Sequence, residues 1–190
     1  LDGGDSVGGA TVSNRGSYTL LGGAPTVTVS APNVGTGTQA VLNPRFEVLS
    51  ATISGGTSYG SGSYTFDLSV TTSGGTCVIN VSGSGGTLST VNSVTTPGTF
   101  TGISAVTSIS GGAGSGATVT LTYRLKNGTA GFVVQTAGSG YTSTPTVTIT
   151  TGSPAVTNGT ATVFLNGYRW GIPVIQALTG YRQLGPAPAN

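Results

Sequence analysis

Charge is scarce in this chain, and histidine and methionine are missing. Only 5% of 190 positions are charged: six are Lys or Arg and four are Asp or Glu, for a formal net charge of +2. Without histidine, a Ser-His-Asp triad, a Cys-His pair and a His-rich zinc site are all excluded. Cys77 is the sole cysteine, so the chain forms no internal disulfide and carries no CxxC for metal or redox chemistry. The carboxylates are Asp2, Asp5, Glu47 and Asp67, and Lys126 is the single lysine. Six cations spread along the chain make no basic stripe, so nucleic acid is not an expected partner. No apolar run approaches the roughly 20 residues of a spanning helix, and no membrane partner is expected. No cofactor or metal is expected. The chain opens at Leu1, which reads as a processing site or the edge of a fragment.

Glycine, threonine and serine dominate instead: 34, 34 and 22 residues, 90 of the 190. Disordered chains combine low hydrophobicity with high net charge, whereas 36% of this one is hydrophobic. Threonine or serine alternates with valine, isoleucine or leucine at residues 25–30, 65–71, 76–82, 117–125, 131–136, 145–150 and 160–165. At a side-chain period of two, each run places an apolar row on one face and hydroxyls on the other, with β-branched residues throughout. The expected fold is all-β: short antiparallel strands in a sandwich or stacked β-repeat, with extended arms at both ends. Residues 174–179 are the one stretch that could be helical, and they are too short and too close to Pro173 to carry weight.

Asn127-Gly128 lies between two strand patterns, and Asn158-Gly159 precedes a third. Asn-Gly suits the two positive φ angles of a type I′ turn, so a hairpin is expected at Asn127 and Gly128. An internal repeat is also visible. From Tyr18 the chain reads YTLLGGAPTVTVSAPNVGTGTQAVLN, and from Tyr141 it reads YTSTPTVTITTGSPAVTNGTATVFLN. Each has Tyr-Thr, a Pro-Thr-Val-Thr strand, a Gly-Thr turn and a last strand ending in Leu-Asn. Weaker partial copies lie at residues 56–70 and 110–121. The expected organisation is an N-terminal arm at 1–10, β-units at 11–100 and 101–166, and a C-terminal docking arm at 167–190.

The segment GSGYTSTPTVTI at residues 138–149 resembles a glycine-rich β-repeat of virion structural proteins of tailed bacteriophages, cyanophages included, that also occurs in some bacterial surface proteins. The first copy departs from it in lacking GSG before Tyr18. The resemblance implies a non-enzymatic building block. Physically, Gly138 and Gly140 allow a backbone path closed to other residues, Tyr141 covers a strand end with its hydroxyl hydrated, and Pro145 fixes the entry of the next strand.

Other motifs carry less. Asp2-Gly-Gly-Asp5 offers too few oxygens for a calcium site. Glu47 and Asp67 could be imagined as a glycosidase pair, but acids so placed are usually solvated or paired. Sequons at Asn80, Asn127 and Asn158 arise by chance in a chain this rich in Ser and Thr. Cys77 reads as a small buried apolar residue. The terminal cluster Tyr168, Arg169, Trp170, Tyr181 and Arg182 joins residue types enriched at interface hot spots with prolines that limit conformational entropy, so it is the expected partner-binding segment. The expected function is assembly, as a decoration, cement or fibre component of a tailed-phage virion. Its partners would be other copies of itself and a neighbouring virion protein. The alternatives are a secreted adhesin or extracellular filament subunit, or a carbohydrate-binding module with a surface glycan as ligand.

Overall fold

The computed structural model describes residues 5–20, 24–70, 75–150 and 157–166. Thirteen strands are β1 (Ser6–Asn14), β2 (Tyr18–Thr19), β3 (Thr26–Val29), β4 (Val41–Pro44), β5 (Phe46–Tyr59), β6 (Gly62–Val70), β7 (Cys77–Ser84), β8 (Gly86–Thr96), β9 (Val106–Ser110), β10 (Ser115–Leu125), β11 (Phe132–Thr136), β12 (Val147–Thr150) and β13 (Thr160–Asn166). All pairings are antiparallel, and no α-helix occurs among the described residues. The fold is all-β, as the alternation of β-branched residues dictates, and each of the seven alternating runs lies on a strand. The short stretch at 174–179 lies outside the described residues.

One sheet has the order β2-β10-β5-β8-β7-β6-β9. At about 4.8 Å per strand, β10 and β9 would lie roughly 24 Å apart if this sheet were flat. Yet four residues link Ser110 to Ser115, a path of at most about 17 Å. The sheet therefore curls around its inward face, which buries Phe46, Val48, Phe66, Leu68, Cys77, Ile79, Val81, Leu121, Tyr123 and Leu125. Residues 97–105 close one end. Phe100 exchanges both backbone hydrogen bonds with Phe46 at 2.8 Å, its ring meets Tyr123 edge-on at 5.7 Å, and the Tyr123 hydroxyl donates to the Ser104 carbonyl at 2.7 Å. Tyr59, Tyr64 and Phe66 pack together at the other end.

Strand β5 bends sharply. Gly55, Gly56 and Ser58 have φ of 75°, 80° and 65°, and the pairing with β8 jumps from Gly55↔Leu88 to Tyr59↔Gly86. Four residues of β5 thus oppose two of β8, a bulge that increases local twist and curl.

The remaining strands form three two-stranded ribbons, β3·β12, β11·β4 and β1·β13. Each joins the first sequence repeat, or the strand leading into it, to the second repeat or the strand leading into that. In β3·β12, Thr28 sits opposite Thr148, and each is the third residue after its repeat's proline. The two copies are therefore related by a local pseudo-twofold axis through this pair. The axis also relates β4 to β13, the two last strands, and these pair with β11 and β1, the strands that precede each copy's tyrosine. Residues 46–125 are inserted between the copies. Two of the ladders of the curled sheet cross residue 100: β10 lies beside β5, and β9 beside β6.

Two local expectations are corrected. Residues 6–10, expected in an N-terminal arm, belong to β1, where Val7 and Ala10 are buried. Two glycines hid this strand. A Cβ on Gly8 would meet the Asn166 side chain, and one on Gly9 the Phe164 ring at 2.5 Å, so side chains of β13 lie across the bare backbone. Asn127-Gly128 is not a β-hairpin turn, since β10 pairs with β5 and β2 whereas β11 pairs with β4. Gly128 has φ 57°, but Asn127 does not share the positive φ of a type I′ turn. A short 3-10 turn at Thr129–Gly131 follows, and the chain passes from one sheet to another.

Candidate functional site

The Gly138-to-Pro145 motif forms a packed corner. Gly138 and Gly140 have φ of 66° and 80°, and an added Cβ would lie 2.5 Å from the Thr38 carbonyl at Gly138 and 2.8 Å from Gly37 Cα at Gly140. Ser139 N–H donates to the Thr38 carbonyl and Val34 N–H to the Gly140 carbonyl, which seats the corner on the loop before β4. Pro145 is buried at the entrance to β12. The Tyr141 hydroxyl is not hydrated as expected. Tyr141 is fully buried, and its oxygen accepts Ala40 N–H at 2.8 Å and donates to the Ser30 carbonyl at 3.3 Å. Asp5 exchanges backbone hydrogen bonds with Tyr141 at 2.9 and 3.2 Å. The motif is thus a clamp within the fold, held by the Tyr141 hydroxyl and by the backbone of Ser139, Gly140 and Tyr141.

Charge concentrates where the repeat ribbons meet the curled sheet. Arg124 on β10 faces Glu47 on β5 in register and donates to its Oε1 from Nε at 3.1 Å and from Nη2 at 2.9 Å. Arg15, just after β1, ion-pairs with the same oxygen and donates from Nε to the Leu125 carbonyl at 2.7 Å. Burial pushes the Glu47 carboxyl up, but the hydrogen bonds and charges of Arg15 and Arg124 outweigh it and hold the carboxyl below its usual range. Lys126 donates to Thr99 Oγ1 at 2.7 Å and, from its backbone, to the Arg45 carbonyl at 2.8 Å. Glu47 is therefore committed to two guanidinium groups. Asp67 lies exposed on β6 with β8 and β7 between its strand and β5. Glu47 and Asp67 thus stand on strands three spacings apart in the sheet order. Among the described residues no group of three or more Cys, Asp or Glu side chains could hold a metal.

A slot of about 500 Å³ lies between β9 and β10, lined by Val106 to Ile109 on one side and Ser115 to Val119 on the other, with Tyr59 at its end. These strands follow one another through residues 111–114, yet they do not pair. β9 bonds only to β6, and the 115–121 part of β10 bonds only to β5. The Tyr59 ring packs against the turn that joins them, 2.6 Å from where a Cβ of Gly114 would be and 3.3 Å from that of Gly112. Val106, Ile109, Ala117 and Val119 are half-buried in the slot, and neither wall carries a charged residue. Sequence reasoning missed this site; its signal was the glycine run at 111–116 directly after a short Val/Ile strand.

Tyr168, Arg169, Trp170, Tyr181 and Arg182, the expected partner-binding cluster, lie outside the described residues, as does Asp2. Comparison with family models, with curated proteins and with solved structures finds no match to this chain.

Proposed function

We propose that this chain is a non-enzymatic structural protein that assembles through its sheet edges, as a decoration, cement or fibre component of a tailed-phage virion. The placement of charge carries this reading. The described cations, Arg15, Arg45, Arg124 and Lys126, all stand at the junction between the ribbons and the curled sheet. Strands β1, β3, β4, β9, β11, β12 and β13 contain no charged residue. Monomeric β-proteins blunt exposed edges with lysine, proline or inward charge, because an open row of N–H and C=O groups recruits other strands. Uncharged edges fit a protein whose edges are covered by neighbours. The partners are other copies of itself and an adjacent virion protein, and the glycine-rich GSGYTSTPTVTI segment supports the virion setting. The commitment of Glu47 to two arginines and the isolation of Asp67 favour a role without turnover.

Sedimentation and electron microscopy of the full chain test the proposal. Discrete rings, filaments or particle-bound copies are expected, with a hydrolase screen at background. A chain that stays monomeric at every concentration, or turnover that disappears on Glu47→Gln or Asp67→Asn, would overturn it.

A further inference from the structure

We infer that copies of this chain join head to tail through charge: Asp67, on the outer face of β6 in one copy, docks on the basic cluster of Arg15, Arg45, Arg124 and Lys126 in the next. The inference rests on the assembly role proposed above and adds to it the two surfaces that meet.

Strand alternation and register build the basic side. Phe46, Val48, Tyr123 and Leu125 are buried inside the curled sheet, so Glu47 and Arg124, which alternate with them, lie on its outer face. Arg15 reaches the same Glu47 oxygen from the other edge of β10, where its carbonyl accepts the Leu125 N–H at 2.9 Å. Two residues farther along, the Lys126 N–H donates to the Arg45 carbonyl, and the Lys126 ammonium crosses to Thr99, next to the Phe100 that pairs with Phe46. Four cations thus gather around one carboxylate, a net of +3 in a chain with 5% charged residues. Arg15 and Arg124 keep 25% and 32% of their side-chain surface exposed, and the Arg45 side chain has no hydrogen bond or ion pair among the described residues. The cluster is open to solvent and short of negative charge.

The acidic side is Asp67. It is the one exposed carboxylate among the described residues, since Asp5 is half-buried beside Tyr141 and Glu47 is held by two arginines. Phe66 and Leu68 are buried inside the sheet, so Asp67 faces out, and its carboxylate has no hydrogen bond or ion pair among the described residues. Exposed Thr65 and Ser69 on its own strand and exposed Ser110 opposite it on β9 surround it with neutral hydroxyls. A guanidinium meeting this face finds a carboxylate with further oxygen acceptors beside it. An exposed pair is worth little alone, but a contact that covers the cluster takes its charges out of water, where leaving them uncompensated is costly.

Topology keeps the two sides of one copy apart. Asp67 pairs with Val78, Val78 with Thr96, and Pro97 accepts the Val48 N–H, so Asp67 and Glu47 stand in one row across the sheet. Around the curl the strands run β10, β5, β8, β7, β6 and β9, and residues 111–114 lead from β9 back to β10. β5 and β6 are therefore three places apart in either direction. Their outer faces look opposite ways, which directs Asp67 to a neighbour's cluster and not to its own. Such a contact joins different surfaces of identical copies, so it propagates head to tail instead of closing a two-fold dimer.

Lys126 is the single lysine of the chain, which makes zero-length carbodiimide cross-linking diagnostic. The reagent condenses a carboxylate with an amine in contact with it, with loss of water. Isotope-labelled and unlabelled full-length chains, mixed before assembly, are expected to give a species of twice the chain mass whose joined peptides link Asp67 of one copy to Lys126 of another. Asp67→Asn is expected to keep the melting temperature, since the side chain has no partner to lose, to abolish that cross-link and to raise the concentration needed for half-assembly about tenfold or more. Arg45→Glu is expected to raise that concentration as well, from the other side of the contact. An assembled chain that gives no 67–126 link and is not weakened by Asp67→Asn overturns the inference and leaves the assembly role standing. A 67–126 link found only within single chains also overturns it, by placing both sides in one copy. Loss of assembly in Arg45→Glu but not in Asp67→Asn overturns it too, by giving the cluster to another acid. An unmodified chain that never assembles removes the proposed function as well.

Discussion

Tyr18 and Tyr141 do the same work in opposite copies of the repeat. The Tyr18 hydroxyl accepts the N–H of Gly159, the residue before β13, at 3.0 Å, and the Tyr141 hydroxyl accepts the N–H of Ala40, the residue before β4, at 2.8 Å. Each tyrosine thus anchors the start of the other copy's last strand. Both rings are buried, so these N–H groups have no water to turn to.

Removing either hydroxyl strands a buried donor. Tyr18→Phe is expected to lower stability by about 1–3 kcal/mol, the cost of an unsatisfied buried group. Tyr141→Phe should cost more, because it also removes the bond to the Ser30 carbonyl. Denaturant titration of both variants measures the difference; equal or negligible losses would contradict the clamp.

Two glycines separate conformational from steric demand. Gly128 has φ 57° with open space where a Cβ would point, so Gly128→Ala should cost only the backbone strain, about 1–3 kcal/mol. Gly138 combines φ 66° with a Cβ position 2.5 Å from the Thr38 carbonyl and 2.7 Å from Ala40 N. Gly138→Ala should therefore add an overpacking cost of roughly 1–3 kcal/mol. Calorimetric melts of the two variants should rank Gly138→Ala as the less stable.

Acid should weaken the junction through Glu47. Its folded carboxyl titrates below the usual range, so the unfolded chain binds a proton first as pH falls. The stabilisation is fully present above the unfolded value of about 4.3 and is lost as pH drops through the folded value. In Glu47→Gln the stability-against-pH curve should lose this acid limb while two arginines are left unpaired at neutral pH. A variant curve parallel to the original below pH 5 would show that the triad does not couple to folding.

Cys77 should be chemically silent until the sheet opens. It is fully buried, and burial alone pushes its thiol up to about 11. A thiol reagent at pH 8 should react with the native protein only as fast as it unfolds, and at once in denaturant. Because the folded value is raised, the thiol's contribution to stability is complete below the unfolded value, about 8.5, and is lost as pH rises toward 11. Rapid labelling under native conditions would place Cys77 at an accessible edge instead.

The chain's class was legible in its residues. Threonine alternating with valine or isoleucine has one stable solution, a strand with one face buried, and β3, β6, β7, β10, β11, β12 and β13 all follow that pattern. So were the repeat and the lack of a histidine-based site, because these are matters of residue type and spacing.

Tertiary structure decided what pairs with what. Asn127-Gly128 supplies the positive φ that its glycine permits, but whether flanking strands fold back on each other depends on competing edges, and β5 and β4 hold the edges that β10 and β11 take. Glycines at 8 and 9 read as linker because their function is to be crossed by Phe164 and Asn166, residues more than 150 positions away. The repeat was visible as two copies in series, yet the strands interleave about the Thr28·Thr148 pair, because each copy alone would leave its apolar rows half covered. The slot is the clearest case: local sequence made β9 and β10 strands joined by a glycine turn, but β9 pairs with β6 and β10 with β5, which leaves a slot between them.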